Sequence, residues 1–250
     1  MTDTAMTNAP ATPAQRLIAH RGWQARRVEN TLDAVAAAIA AGARHIEIDV
    51  QLSADQQPVL FHDRDLGRLA GLSQPVHALG VAELAELTLR EPSRPAARMA
   101  QLAEVAALLQ PHPPITLYVE LKRIALRQFG ADRVLQAVAA ACATIRAQVV
   151  LISFDPAVLV AARQQGWDRV GPVINAWPQW HSPQLAALNP DVVFVDVDCV
   201  PRDARLDTMP WPAAVYEVGH AAAARAWFAR GAALVETFDI GGLIAALAED

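Results

Sequence analysis

Eight strand-like segments, most of them followed by a helix-like run, alternate from residue 16 to the end of the chain, and this alternation restricts the fold more than any other feature. They fall at 17–19, 45–52, 115–121, 149–153, 170–175, 192–195, 213–218 and 233–237, with helical patterns at 131–146, 156–165, 220–230 and 242–248 among the intervening segments. Parallel strands need crossovers long enough to hold a helix, so the pattern predicts a parallel sheet covered by helices. Eight units in about 235 residues match a closed (β/α)8 barrel. The competing arrangement, a doubly wound open sheet, usually has fewer strands and a glycine-rich phosphate loop after the first of them. This chain instead reads His20-Arg21-Gly22-Trp23 there. The expected fold class is therefore α/β, a (β/α)8 TIM barrel. Residues 64–114, with scattered Pro and Gly and helical stretches near 81–88 and 101–110, form a small insertion between the second and third units. The helix after the first strand has Asn30 or Thr31 as its cap, Leu32, Val35, Ala36 and Ile39 on one face, and Gly42 at its end.

The chain has 250 residues and is 53% hydrophobic, much of that alanine, which suits a large core of closely packed helices. Its net charge of −5, with no long basic run, argues against nucleic acid as a partner. Cys142 and Cys199 are too few for a disulfide framework and read as reduced thiols. Residues 1–15 are polar and rich in Pro, Ala and Thr, without the charged start and apolar core of a signal peptide. They are expected to be a disordered tail ahead of one domain over 16–250. With no apolar run of spanning length, the expectation is a cytoplasmic protein without stable membrane association. Nothing in the sequence signals an oligomeric state.

The stretch from His45 to Asp63 carries the chemistry. His45, Glu47, Asp49 and Gln51 share one face of a strand, and Ile46, Ile48, Val50 and Leu52 the other. Paired carboxylates on an enclosed face repel and are costly to desolvate unless something positive lies between them, a metal ion above all. In a barrel the C-terminal strand ends surround one site. Here those ends supply His20 and Arg21, then Glu47 and Asp49 with His62 just beyond, then Tyr118, Glu120 and Lys122, followed by Ser153, Asn175, Asp196, Glu217 and Glu236. Glu47, Asp49 and Glu120 suit a hard divalent cation, Mg2+ or Ca2+, with Mn2+ also compatible; zinc would call for more His or Cys. The competing reading pairs Glu47 and Glu120 with Arg21 or Lys122. His20 and His62, each ending a strand beside a charged residue, are the candidate acid–base pair. Arg21 and Lys122 flank the metal position and suit a phosphate.

These residues resemble the glycerophosphodiester phosphodiesterase family. The resemblance rests on HRG at 20–22, ENTLDA at 29–34, EIDVQLSADQQPVLFHDRDLGR at 47–68, LAEV at 102–105, VELK at 119–122 and LISFD at 151–155. It implies a metal-dependent barrel enzyme that hydrolyses glycerophosphodiesters to glycerol 3-phosphate and an alcohol. It implies Glu47, Asp49 and Glu120 as metal ligands, His20 and His62 as catalytic residues, and Arg21 and Lys122 as phosphate contacts. Glu29 and Asn30 are the signature pair supporting that substrate-binding side, and the insertion caps the substrate's entry. The chain departs from the family pattern at Val28, at Trp23, Arg26 and Arg27, at Tyr216-Glu217-Val218-Gly219 and at Thr237-Phe238-Asp239-Ile240. These positions lie where the alcohol or glycerol half would sit. Glu217 there suits a cationic head group such as choline or ethanolamine, or else pairs with a neighbouring arginine. Two rival functions use the same barrel. One is a phosphodiesterase or phospholipase acting on lysophospholipid-type diesters or releasing a cyclic phosphate, for which Trp177 and Trp180 are isolated membrane-facing candidates. The other is a non-catalytic phosphodiester-binding barrel.

Overall fold

The computed structural model describes residues 11–248. Eight strands form a closed parallel barrel: β1 (Leu17–Ala19), β2 (His45–Leu52), β6 (Thr116–Leu121), β7 (Val149–Ser153), β8 (Val170–Ile174), β9 (Val193–Asp196), β10 (Ala213–Tyr216) and β11 (Leu234–Thr237). Pairing of β1 with both β2 and β11 closes the ring. The other three strands lie outside it. β3 (Pro58–Leu60) runs antiparallel to the end of β2, and β4 (Thr88–Leu89) pairs with β5 (Ala97–Arg98) as a separate ribbon.

The outer layer holds α1 (Leu32–Ala40), α4 (Leu102–Leu109), α5 (Arg123–Phe129), α6 (Ala131–Ala141), α7 (Pro156–Gln164), α8 (Pro183–Leu188), α9 (Ala221–Ala229) and α10 (Ile240–Ala248). Two shorter helices, α2 (Gly67–Ala70) and α3 (Val81–Ala85), lie in the insertion. Thr31 caps α1, its hydroxyl accepting from the Ala34 amide at 3.2 Å. Between β9 and β10 the chain holds two single 3-10 turns, Val197–Cys199 and Leu206–Thr208, in place of a covering helix.

Three apolar clusters account for the layering. The largest lies between strands and helices, and includes Ile46, Ile48 and Val50 on the outward face of β2. A second plugs the barrel with Ile18, Tyr118, Val150, Ile152, Val173, Phe194 and Ala214. The third belongs to the insertion and runs from Val28 and Val59 to Met99. Leu102, Val105, Ala106 and Leu109 of α4 pack in the first cluster. That helix is therefore the barrel's own, and the segment with an independent core is shorter than 64–114.

Residues 1–10 of the expected N-terminal tail lie outside the described residues. Next to them Pro13–Arg16 forms a 3-10 turn capped by Thr12, and Arg16 donates to the carbonyls of Ala232 and Ala233. Both cysteines are free, Cys142 buried in the helical layer and Cys199 half-buried. Trp180 is buried and Trp177 packs against it, with ring centroids 5.6 Å apart. Among the described residues no helix is long and apolar enough to cross a membrane.

The turn after β1 sets how closely α1 approaches the barrel mouth. Gly22 has φ +77°, and a Cβ there would lie 2.6 Å from the Ala34 carbonyl carbon. Only glycine fits both the left-handed backbone and the contact. Gly22→Ala is expected to lower unfolding free energy by about 2–4 kcal/mol in urea denaturation.

Candidate active site

Register brings the polar strand ends together. Asp49 pairs with Glu120 across β2 and β6, and Glu47 with Tyr118. Ile18 pairs with His45 on one side and Glu236 on the other, so two residues further along, His20 and Glu47 arrive at one level. A pocket above the apolar plug is lined by His20, Arg21, Glu47, His62, Glu120 and Glu236 at its polar end. Phe154, Phe194, Tyr216 and Glu217 line it as well.

Asp49 is the hub. Its Oδ1 accepts from Lys122 Nζ at 3.0 Å, and its Oδ2 accepts from Asn30 Nδ2 at 2.8 Å and lies 3.2 Å from Arg21 Nε. Asn30 closes the pair by accepting from the Asp49 amide at 3.0 Å. Burial opposes the Asp49 charge, but Lys122 and Arg21 hold its carboxyl well below the usual carboxylate range. Burial also opposes the Lys122 charge, but Asp49 and Glu120, the latter 2.8 Å away, raise the ammonium above its ordinary value.

Glu47 is in the opposite situation. Its Oε2 accepts from the Arg21 amide at 3.1 Å, and burial, then Asp49, Glu236 and Glu120, push it well above the ordinary value. The ion-pair alternative is thus realised for Glu120, through Lys122, while among the described residues Glu47 forms no ion pair with Arg21 or Lys122 and accepts from the Arg21 backbone amide. Glu47, Asp49 and Glu120 each offer an oxygen within 4.8 Å of the others. With Glu236 they make four buried or nearly buried carboxylates, and the cations bonded to them are Arg21 and Lys122. This surplus of carboxylates over cations fits an added hard cation among oxygen ligands.

His20 is buried, its Nε2 lies 3.9 Å from Glu47 Oε2, and its ring packs on Phe238 with centroids 5.1 Å apart. Burial and nearby Arg21 push its imidazole down to about 3, which favours the neutral ring. His62 is half-buried, with Nδ1 2.9 Å from Asp63 Oδ1. Asp63 in turn accepts from Arg68 Nε at 2.7 Å.

Glu29 lies behind Arg21 instead of lining the pocket. It is buried and accepts from Arg21 Nη1 at 2.9 Å, Gln24 Nε2 at 3.0 Å and Arg68 Nη2 at 2.6 Å. Glu29 thus ties Arg21 to the insertion. Asn30 is equally buried and orients Asp49. Arg21 and Asn30 have φ of +54° and +55°, strained values for side-chain-bearing residues at the site's corner.

The remaining strand ends divide. Ser153 turns away and donates to the Leu121 carbonyl at 3.0 Å, Asn175 is exposed outside the pocket lining, and Asp196 caps the following 3-10 turn. Glu217 lines the pocket mouth at φ +70° and forms no ion pair with an arginine among the described residues. Sequence reasoning gave no site role to two residues that matter here. Arg68 could have been suspected only as a cation near Asp63. Glu236 was visible as a carboxylate at an inward strand position.

The sequence matches a model described as the Glycerophosphoryl diester phosphodiesterase family over residues 20–203. Among curated proteins it is 43% identical over 76 residues to the Mus musculus protein named "Lysophospholipase D GDPD3", covering 30% of this chain and 23% of that one. It is 30% identical over 170 residues to a Mycobacterium tuberculosis protein named "Probable glycerophosphodiester phosphodiesterase 1", covering 59% and 60%. The chain thus spans about a quarter and three fifths of these two relatives. Among solved structures, an Oleispira antarctica phosphodiesterase in complex with the product sn-glycerol-3-phosphate superposes with a TM-score of 0.82 at 20% identity, covering 94% of this chain and 97% of that one. The glycerophosphodiester phosphodiesterase of Thermotoga maritima gives 0.72 at 22% identity, covering 92% and 97%. At these identities the structural likeness establishes the barrel fold.

The wiring behind Arg21 has a measurable consequence. Glu29→Gln leaves Arg21 and Arg68 without their shared buried carboxylate and is expected to lower unfolding free energy by about 3 kcal/mol in urea denaturation.

Proposed function

The chain belongs to the glycerophosphoryl diester phosphodiesterase family, and from this premise we propose that it hydrolyses glycerophosphodiesters to sn-glycerol 3-phosphate and an alcohol. The observation that carries this reading is the convergence, in one pocket, of two imidazoles, a carboxylate set suited to a divalent cation, and Arg21. Lys122 stands beside it, bonded to two of those carboxylates.

Glu47, Asp49 and Glu120 would hold the cation, Mg2+ or Ca2+ by the hardness of their oxygens, with Mn2+ also compatible. A divalent ion held there would supply positive charge to a bound phosphate. Arg21, fixed by Glu29 and Asp49, offers its guanidinium to the diester, and Lys122 stands on the far side of Asp49. Neutral His20 takes the proton from the attacking oxygen, either a water or the glycerol hydroxyl of the substrate itself. His62, paired with Asp63, returns a proton to the leaving alkoxide. Asp63 and Arg68 orient that second imidazole. Attack by the substrate hydroxyl passes through a cyclic phosphate that water then opens.

Glu217 supports a preference for cationic head groups, because no arginine among the described residues neutralises it and Phe154 and Tyr216 share its wall. The single-domain organisation over 16–250 is part of the same proposal. A lysophospholipid substrate is the second reading, favoured by the name of the mouse relative.

The deciding assay follows glycerol 3-phosphate release from glycerophosphocholine, glycerophosphoethanolamine, a glycerol-headed diester and a lysophospholipid, with chelator and with Mg2+ or Ca2+. Turnover of the first two, abolished by chelator and restored by the ion, is expected. His20→Ala and His62→Ala should each lower kcat by about 10²–10⁴-fold with unchanged circular dichroism. Full activity in either variant, or indifference to chelator, would remove that residue or the metal from the mechanism.

A further inference from the structure

Glu236 is an anomaly in this pocket. It sits near the C-terminal end of β11 with its side chain inside the barrel, is 3% exposed, and its Oε1 is buried with no hydrogen-bond partner. The nearby Arg21 guanidinium is committed to Glu29 and Asp49. A buried, unpartnered carboxylate is costly and is retained where something else meets it. His20, Glu47 and Glu236 each present a ligand atom within 4.8 Å of the other two.

We propose that His20, Glu47 and Glu236 form a second cation site, distinct in ligand chemistry from the carboxylate set Glu47, Asp49 and Glu120, and suited to a borderline ion such as Zn2+. One imidazole nitrogen and two carboxylates, with a position left for water, match the preferences of zinc; Mg2+ and Ca2+ favour oxygen alone. The spacing is close to what is needed. Ligands at about 2.0–2.1 Å from a tetrahedral ion stand about 3.4 Å apart. The 3.9 Å between His20 Nε2 and Glu47 Oε2 needs only a small closure. The terminal carboxyl torsion of Glu236 is soft and can bring the third ligand in. Glu47 belongs to both sets, and its two oxygens allow it to bridge them. An ion at this site occupies the imidazole assigned above as base. Zn2+ therefore inhibits turnover, a consequence that rests on the proposed role of His20, whereas the binding itself does not.

The test is a calorimetric titration of the Mg2+-saturated protein with Zn2+, repeated on Glu236→Gln and Glu120→Gln. The proposal expects one Zn2+ equivalent in the unmodified protein and a loss of about tenfold or more in affinity in Glu236→Gln. Glu120→Gln should bind within about threefold of the unmodified protein, because that residue holds none of the proposed ligand atoms. Equal affinity in the unmodified protein and Glu236→Gln overturns the site, as does loss in Glu120→Gln with retention in Glu236→Gln. Glu236→Leu serves if the glutamine variant folds poorly: Zn2+ should raise the Tm of the unmodified protein and not of this variant. Ring-proton NMR of the unmodified protein gives a readout free of any substitution. Zn2+ should shift His20 and leave His62 in place, and an unmoved His20 overturns the site. Mg2+-supported turnover is measured separately, so failure of the zinc site leaves the hydrolytic reading standing, and the converse holds.

Discussion

Asp49 carries a cationic partner on each carboxylate oxygen, and the mouth of the barrel depends on this arrangement. Lys122 comes from the end of β6, Arg21 from the turn after β1 and Asn30 from the cap region of α1. One buried carboxylate therefore fixes three separate segments relative to β2. Such an arrangement is stabilising only as a complete set, because any member removed leaves another charge buried without compensation. Glu29 repeats the device one step outward, joining Arg21 to Arg68 and so to the insertion. The network also explains how two strained residues, Arg21 and Asn30, are held in the left-handed region.

The lower half of the barrel gives this network its dry floor. Ile18, Tyr118, Ile152, Phe194 and their neighbours fill the interior, with Tyr118 and Phe194 meeting edge to face at 5.2 Å. Polar residues are confined to one end because the plug leaves no room for them lower down. His45 marks the boundary on β2: it is half-buried below Glu47 and within 3.3 Å of the Tyr118 hydroxyl. In this setting, with water largely displaced, charge on Glu47 and Glu236 becomes expensive. The contrast between Asp49, paired with two cations, and Glu47 and Glu236, paired with none of them, makes the pocket a place for added positive charge.

Much of the candidate site could be read in the chain because strand alternation is a local rule. Once His45 to Leu52 is a strand, Glu47 and Asp49 must share a face, and the same holds for Tyr118, Glu120 and Lys122. Which of the other strand ends point inward was not so readable. Ser153, Asn175 and Asp196 stand at equivalent positions and serve the backbone or solvent instead. The insertion was also legible only in outline. Its punctuation by Pro and Gly marked it as irregular, but the periodicity of residues 102–109 could not say that this helix packs on the barrel and not within the insertion.

By itself the sequence determined the eightfold alternation and the polar faces of β2 and β6, because these follow from local periodicity. Only the tertiary structure decided that Glu29 backs Arg21 instead of meeting the pocket, that Arg68 reaches Glu29 from the insertion, and that Glu236 comes within reach of His20 and Glu47. Those relations depend on barrel closure, which sets β11 beside β1, and β1 beside β2, through register over more than 200 positions of chain between Ile18 and Glu236. No local pattern records how distant strands stagger, and stagger determines which buried charges meet a partner and which are left without one.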